Sequence, residues 1–173
     1  MLRERVTTAR LVLEPLTAAD ADDMVSVLAA PELYAFIGGE PPEVEGLRAR
    51  YARLAVGGSA DGSQEWHNWV VRRGEDGVAV GTVQATVSDA ADVAWVIGVP
   101  FQGRGYAVEA ASALVTWLRE HGVADVRAHI HPGHAASARV AERIGLIPSG
   151  VLDDEGEQIW RSVVSAERWE TTR

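Results

Sequence analysis

Residues 99–110, VPFQGRGYAVEA, set two glycines, flanked by Gln102 and Arg104, between an apolar run and a segment of helical periodicity. A helix start leaves about four backbone N–H groups without intrahelical partners and carries the positive end of the helix dipole, so it receives anions. Glycine lets a bulky anion approach the backbone there. Gly103 and Gly105 therefore read as a phosphate-recognition turn, with Gln102 or Arg104 as a side-chain donor, or else as a tight strand-to-helix turn without a ligand. The dinucleotide fingerprint GxGxxG is excluded because Val108 occupies its third glycine position. The phosphate loop GxxxxGK[ST] fails for want of lysine, since all 16 basic residues are arginine. That absence also removes Schiff-base chemistry and the nucleotide-pairing lysine of kinases.

Outward from this turn the elements fall into place. Residues 104–121 put Ala110, Leu114, Trp117 and Leu118 on one helical face and stop at Gly122. Upstream, EWHNWVVRR (65–73), GVAVGTVQATV (77–87) and ADVAWVIGV (91–99) read as strands of an antiparallel meander, separated by short turns. Before them come a strand at 9–14 and a helix opened by Thr17 and Asp20, with a stripe of Met24, Val25 and Leu28 and a stop at Pro31. A second helix at 41–56 opens with two prolines suited to a first turn and repeats Val44, Leu47, Tyr51 and Leu54, and 57–64 is a flexible loop. Downstream lie a strand at 125–131, a helix at 134–145 closed by Gly145, and a hairpin of 147–152 and 157–164 around the acidic turn DDEGE. The order β-α-α-β-β-β-α-β-α-β-β describes one mixed α/β domain over residues 1–173.

With 47% hydrophobic and 24% charged residues the chain reads as an ordinary soluble protein, and the expectation is a cytoplasmic one with no membrane segment. A net charge of −9 argues against general affinity for nucleic acid. With no cysteine, disulfides, thiol nucleophiles, cysteine-ligated zinc and iron–sulfur clusters are excluded.

Gln102, Gly105 and Ala107 fit the pattern [QR]xxGxA. Together with ADVAWVIGVP before it, GYAVEAASALVTWL after it, HPGHAASARVAERIGL beyond and the opening TARLVLEPLTAADADDM, the chain resembles the GNAT family of N-acetyltransferases. Within it the likeness is to the branch of ribosomal-protein alanine acetyltransferases, and it covers nearly the whole chain. The resemblance implies an α+β fold: a mostly antiparallel twisted sheet of about seven strands flanked by about four helices, with the fourth and fifth predicted strands (91–99 and 125–131) splayed apart. It implies acetyl-CoA as cosubstrate, its pantetheine entering the splay and its pyrophosphate resting on the glycine turn. The cofactor residues so implied are Val96, Ile97, Gly98 and Val99 on the strand, Gln102, Gly103, Arg104, Gly105, Tyr106 and Ala107 on the turn, and His134 beyond. A backbone N–H of 96–99 would also serve as an oxyanion donor.

The amine acceptor sets the chemical difficulty. An alkylamine with a pKa near 10.4 lies about 3.4 units from neutral at pH 7, so exposing its lone pair costs roughly 4.6 kcal/mol. A base, or desolvation, is the larger requirement, and an acid for the thiol is the smaller one. Asp92 stands where many members carry a glutamate, and reads as a base or as a turn residue; His67, between Trp66 and Trp69, reads as a base or as a half-exposed strand histidine. Ser137 matches the serine of the family's NxxS and is the acid candidate, because the tyrosine used in other branches is replaced by Ala141. His134 stands in place of the usual asparagine and is a poor helix cap. Glu109 reads as a structural partner of the helix dipole, and Trp95, Trp117 and Trp160 as core or cleft wall. His129, His131 and His134 lie close in sequence, but no carboxylate completes an obvious site, so no metal is expected.

The acidic turn Asp153, Asp154, Glu155, Glu157 reads as a solvated tip or as a lure for a cationic amine, either a small molecule or a protein N-terminus. Two further readings stay open: an acyl-CoA-binding module without catalysis, and a metal-binding regulatory domain. Several GNAT members are dimers, so a homodimer is also open.

Overall fold

The computed structural model describes residues 3–163, so Val164, the last residue of the predicted final strand, lies outside it. Eight strands form one sheet in the order β1-β2-β3-β4-β5-β6-β8-β7: β1 (Val6–Thr7), β2 (Leu11–Pro15), β3 (Glu65–Arg73), β4 (Ala79–Val87), β5 (Ala91–Ile97), β6 (Val126–Ile130), β7 (Leu146–Leu152) and β8 (Gln158–Ser162). The strand beyond the seven expected is β1, whose two residues are too few to show any alternation. Every neighbouring pair is antiparallel except β5 with β6.

Four helices cover the sheet: α1 (Ala21–Val27), α2 (Val44–Leu54), α3 (Tyr106–Glu120) and α4 (Ala135–Arg143). The meander strands are buried on both faces because their side chains alternate between two cores. Trp69, Val71 and Val83 pack with Leu114 and Leu118 of α3. Val70 and Ala79 pack with Met24 of α1 and with Leu47 and Tyr51 of α2. Each fully buried leucine in these layers contributes about 2 kcal/mol. Thr17 does open α1 with Asp20, whose carboxylate accepts the Thr17 backbone N–H at 2.7 Å, but a short 3₁₀ turn, Ala18–Asp20, comes before the α-helix itself. Prolines 41 and 42 stand ahead of α2 rather than in its first turn. No helix of the described residues is long and apolar enough to cross a membrane.

One irregularity organises everything that follows. β5 and β6 pair only at Ala91↔Val126 and Asp92↔Arg127, and beyond Asp92 the two strands part. On its other side β5 stays in register with β4 throughout, from Val87↔Ala91 to Gly81↔Ile97. Gly81 permits that fit, since a Cβ there would lie 2.0 Å from the Val96 carbonyl oxygen.

Candidate active site

Where β5 and β6 part, a cleft of about 820 Å³ opens. Trp95, Val96 and Ile97 line one side, Ala128, His129 and Ile130 the other. From Val93 to Ile97, β5 therefore presents to the cleft a backbone edge that no strand pairs.

The glycine turn closes one end. Gly105 is the N-cap of α3 at φ 80°, and Gly103 has φ 76°, so both use the left-handed region that glycine enters freely. The first α-type bond of the helix is Glu109 N–H to Gly105 O at 3.1 Å. Among the described residues the amides of Tyr106, Ala107 and Val108 find no backbone acceptor, and all three residues line the cleft. Two side chains anchor this turn from behind. Glu109 accepts the Thr8 hydroxyl at 2.7 Å, the Arg10 backbone N–H at 2.8 Å and the Arg10 Nε–H at 2.7 Å. Burial works against its charge, but these bonds outweigh that and hold the carboxyl below its usual range. Arg10 in turn donates to the Arg104 carbonyl at 2.8 Å and lies over the Tyr106 ring. Glu109 thus stands behind the turn and outside the cleft lining.

The remaining residues expected at the cofactor take unequal places. Gln102, Gly103, Gly105, Tyr106, Ala107, Val96, Ile97, Val99 and His134 all line the cleft. Gln102 uses its side-chain amide to hold the Ile97 carbonyl at 2.9 Å, so it fastens the end of β5. Gly98 is set back from the cleft: its N–H is given to Val80 O at 2.8 Å, and a Cβ would meet Val27 of α1 at 2.8 Å. Its lack of a side chain serves close packing on α1. Arg104 is exposed and outside the lining. His134 makes no side-chain cap bond to α4; Phe36 stacks on its ring at 4.5 Å, and burial together with His131 lowers its pKa.

Of the catalytic candidates, only Ser137 lines the cleft, on α4. Ala141 is fully buried, so the position of the absent tyrosine faces the core. Asp92 is clamped by Arg127 through two bonds of 2.9 and 3.0 Å and is no part of the lining. His67 is 8% exposed, bonded through Nε2 to Glu65 at 3.1 Å and packed among Trp69 and Trp117. It borders a separate hollow of about 20 Å³, room for no more than a water molecule.

What the sequence reading did not bring to the centre is the acidic hairpin. Asp153 accepts from His129 Nδ1 at 2.8 Å, and His129 Nε2 lies 3.2 Å from Asp92. Burial opposes the charge on His129, but the hydrogen bonds and charges of the two carboxylates outweigh it and raise the pKa. Glu157 lines the cleft beside this network. Burial, then the charges of Asp153 and Glu155, push its carboxyl up, against the opposing pull of His129 and His131. Ligand-capable atoms of His129, Asp153 and Glu157 lie within 4.8 Å of one another, which corrects the expectation that no carboxylate joins the histidines. The only advance signal was the acidic turn itself.

Residues 10–147 match the acetyltransferase (GNAT) domain model. No curated protein sequence matches the chain. Among solved structures, an acetyltransferase from Agrobacterium tumefaciens is 25% identical, with a TM-score of 0.70 over 93% of this chain and 95% of that one. RimL, a ribosomal L7/L12 alpha-N-protein acetyltransferase in complex with coenzyme A, is 15% identical, with a TM-score of 0.80 over 95% of this chain and 100% of that one. AAC(6')-Ib, in complex with paromomycin and acetyl-CoA, is 16% identical, with a TM-score of 0.73 over 94% of this chain and 99% of that one. Likenesses as distant as the last two speak for the fold, an eight-stranded mixed sheet with four helices and one parallel pair, while the domain match spans most of the sequence. The chain belongs to the GNAT acetyltransferase domain family and is an N-acetyltransferase.

Proposed function

We propose that the chain moves an acetyl group from acetyl-CoA to a primary amine by direct attack in a ternary complex. The observation that carries this reading is one cleft with an unpaired β5 edge along its side and an open helix N-terminus at its end. These are the two polar surfaces that an amide-bearing arm and a pyrophosphate require. The cosubstrate supplies an activated acyl thioester. Val96 and Ile97 offer backbone partners to its arm, and the amides of Tyr106, Ala107 and Val108 receive its phosphates.

Glu157 is the proton acceptor in this reading. It faces the cleft, and its raised pKa narrows the gap to an ammonium ion. His129, held between Asp153 and Asp92, fixes the hairpin that carries it. The amine, once deprotonated, forms the C–N bond as the C–S bond breaks; the nitrogen then sheds its remaining extra proton to solvent, and Ser137 hands its hydroxyl proton to the sulfur while taking one from water. Asp92 and His67 keep structural roles, as an ion-pair clamp and as a core residue. The acceptor is a small amine or a protein N-terminus, the classes bound or modified by the two distant structural relatives.

Calorimetric titration with acetyl-CoA, followed by thiol release over a panel of amines and N-terminal peptides, tests the proposal. Saturable binding with turnover on one amine class is expected. Binding without thiol release on any acceptor would instead favour an acyl-CoA-binding module without catalysis, and no binding would leave the glycine turn a turn only.

A further inference from the structure

We propose that the acceptor is a small amine carrying its own carboxylate and an apolar side chain, a zwitterionic amino compound, and that Arg50 binds the carboxylate. This inference rests on the acetyl-transfer reading of the same cleft. Seven of the fourteen arginines among the described residues form no ion pair with a carboxylate there, and of these Arg50 and Arg139 line the cleft. The other seven, among them Arg10, Arg48, Arg72 and Arg127, are held in ion pairs with carboxylates. Arg50 lines the cleft from α2, and among the described residues no carboxylate pairs with it. A guanidinium presented to a cleft in that condition is a fork for a planar anion.

The opposite charge is in the same cleft. Glu157, the proposed proton acceptor, draws the ammonium end of the acceptor, and Glu32 adds a second carboxylate to the lining. A zwitterion satisfies both signs at once, whereas a plain alkylamine leaves Arg50 without its anion and a polycation is opposed by it. The same region that supplies Arg50 also supplies Leu33, Phe36 and Ile37 to the cleft, of which Phe36 is 37% and Ile37 59% exposed. Apolar surface left open at a cleft is where an apolar substituent goes.

Phe36 also packs against the segment between β6 and α4, its ring 4.5 Å from His134 and 5.2 Å from His131, so this apolar surface sits beside the two histidines of the lining. Arg139, on α4 with Ser137, is a second guanidinium in the lining without an ion pair among the described residues.

Matched pairs of acceptors test the proposal: phenylalanine against phenethylamine, and leucine against isopentylamine, with an N-terminal peptide amide as a third arm. The carboxylated member is expected to have a kcat/KM about tenfold or more above its decarboxylated twin, because a site that hydrogen-bonds a group rejects the analogue lacking it. Arg50→Gln should collapse that ratio to within about twofold, through a higher KM for the amino acid, with the KM for acetyl-CoA held. The substitution lies on an exposed position of α2, and glutamine keeps the helix. A preference for the decarboxylated amines or for the peptide overturns the zwitterion, as does an unaltered ratio in Arg50→Gln. Absence of thiol release with every acceptor overturns the acetyl-transfer reading itself, and this inference with it.

Discussion

Four acidic side chains around the cleft differ in what their neighbours ask of them. Asp92 is spent on Arg127, Glu109 on Arg10 and Thr8, Asp153 on His129, and Glu157 alone is pushed toward proton uptake while facing the cleft. Glu157→Gln is therefore expected to lower kcat by about a hundredfold. The acidic limb of the pH–rate profile, which should sit above the ordinary glutamate range, should flatten in that variant. An unchanged profile would remove Glu157 from the chemistry.

Two histidines give opposite signs to stability. Burial, against the pull of Glu65, holds His67 below its usual value, so its neutral form favours folding. That contribution is complete above the unfolded value of about 6.5 and is lost as the pH falls toward the folded one. For His129 the folded value is raised, so its contribution is complete below about 6.5 and is lost as pH rises through the folded value. In thermal melts across this range, His67→Phe should flatten the acid side and His129→Gln the neutral-to-alkaline side. At this scale sequence legibility was partial. Ser137 and the turn residues follow a motif, but the Arg127 clamp on Asp92 and the Trp117 ring against His67 come from 35 and 50 positions away and leave no local pattern.

Among the elements, the turn before α3 is the most legible and the most exposed to test. Gly105→Asp places a like charge at the proposed phosphate site, at a φ of 80° where a non-glycine residue costs about 1 kcal/mol. Its Cβ would meet only the far end of Arg10, at 3.3 Å, so that guanidinium must give by a few tenths of an ångström. Acetyl-CoA affinity should fall by about tenfold or more while the far-ultraviolet circular dichroism stays near wild type. Gly81→Ala probes a contact that no motif announces. The nearest atom to the new Cβ is backbone, the Val96 oxygen, so β4 and β5 must shift against each other. A clear drop in Tm with a raised KM for acetyl-CoA is expected; wild-type values would deny β4 any part in setting the cleft edge. The three meander strands were readable because apolar residues crowd between turn signals. Gly81 was not, because a close backbone approach leaves no pattern in one strand alone.

At the scale of the molecule, the order of strands and helices was legible from periodicity, and the splay was available only through family resemblance. Nothing in Ala91–Ile97 or Val126–Ile130 says that their pairing stops after two residues. The acceptor end was the least readable, since it gathers Glu32, Phe36, Arg50 and Glu157 from distant parts of the chain.

The two-residue seam between β5 and β6 also carries a dynamic consequence. It makes the sheet two plates, β1 to β5 and β6 with β8 and β7, joined at one corner by few main-chain bonds and the Arg127 clamp. Such a corner opens more readily than a full ladder, so amide protons of the smaller plate should exchange with solvent faster than those of the meander. A molecule wedged along both plates supplies the missing rungs. Deuterium uptake by β6 and β8 should slow on adding acetyl-CoA, more than in the already laddered β3, and equal slowing throughout would mean that the two plates move as one.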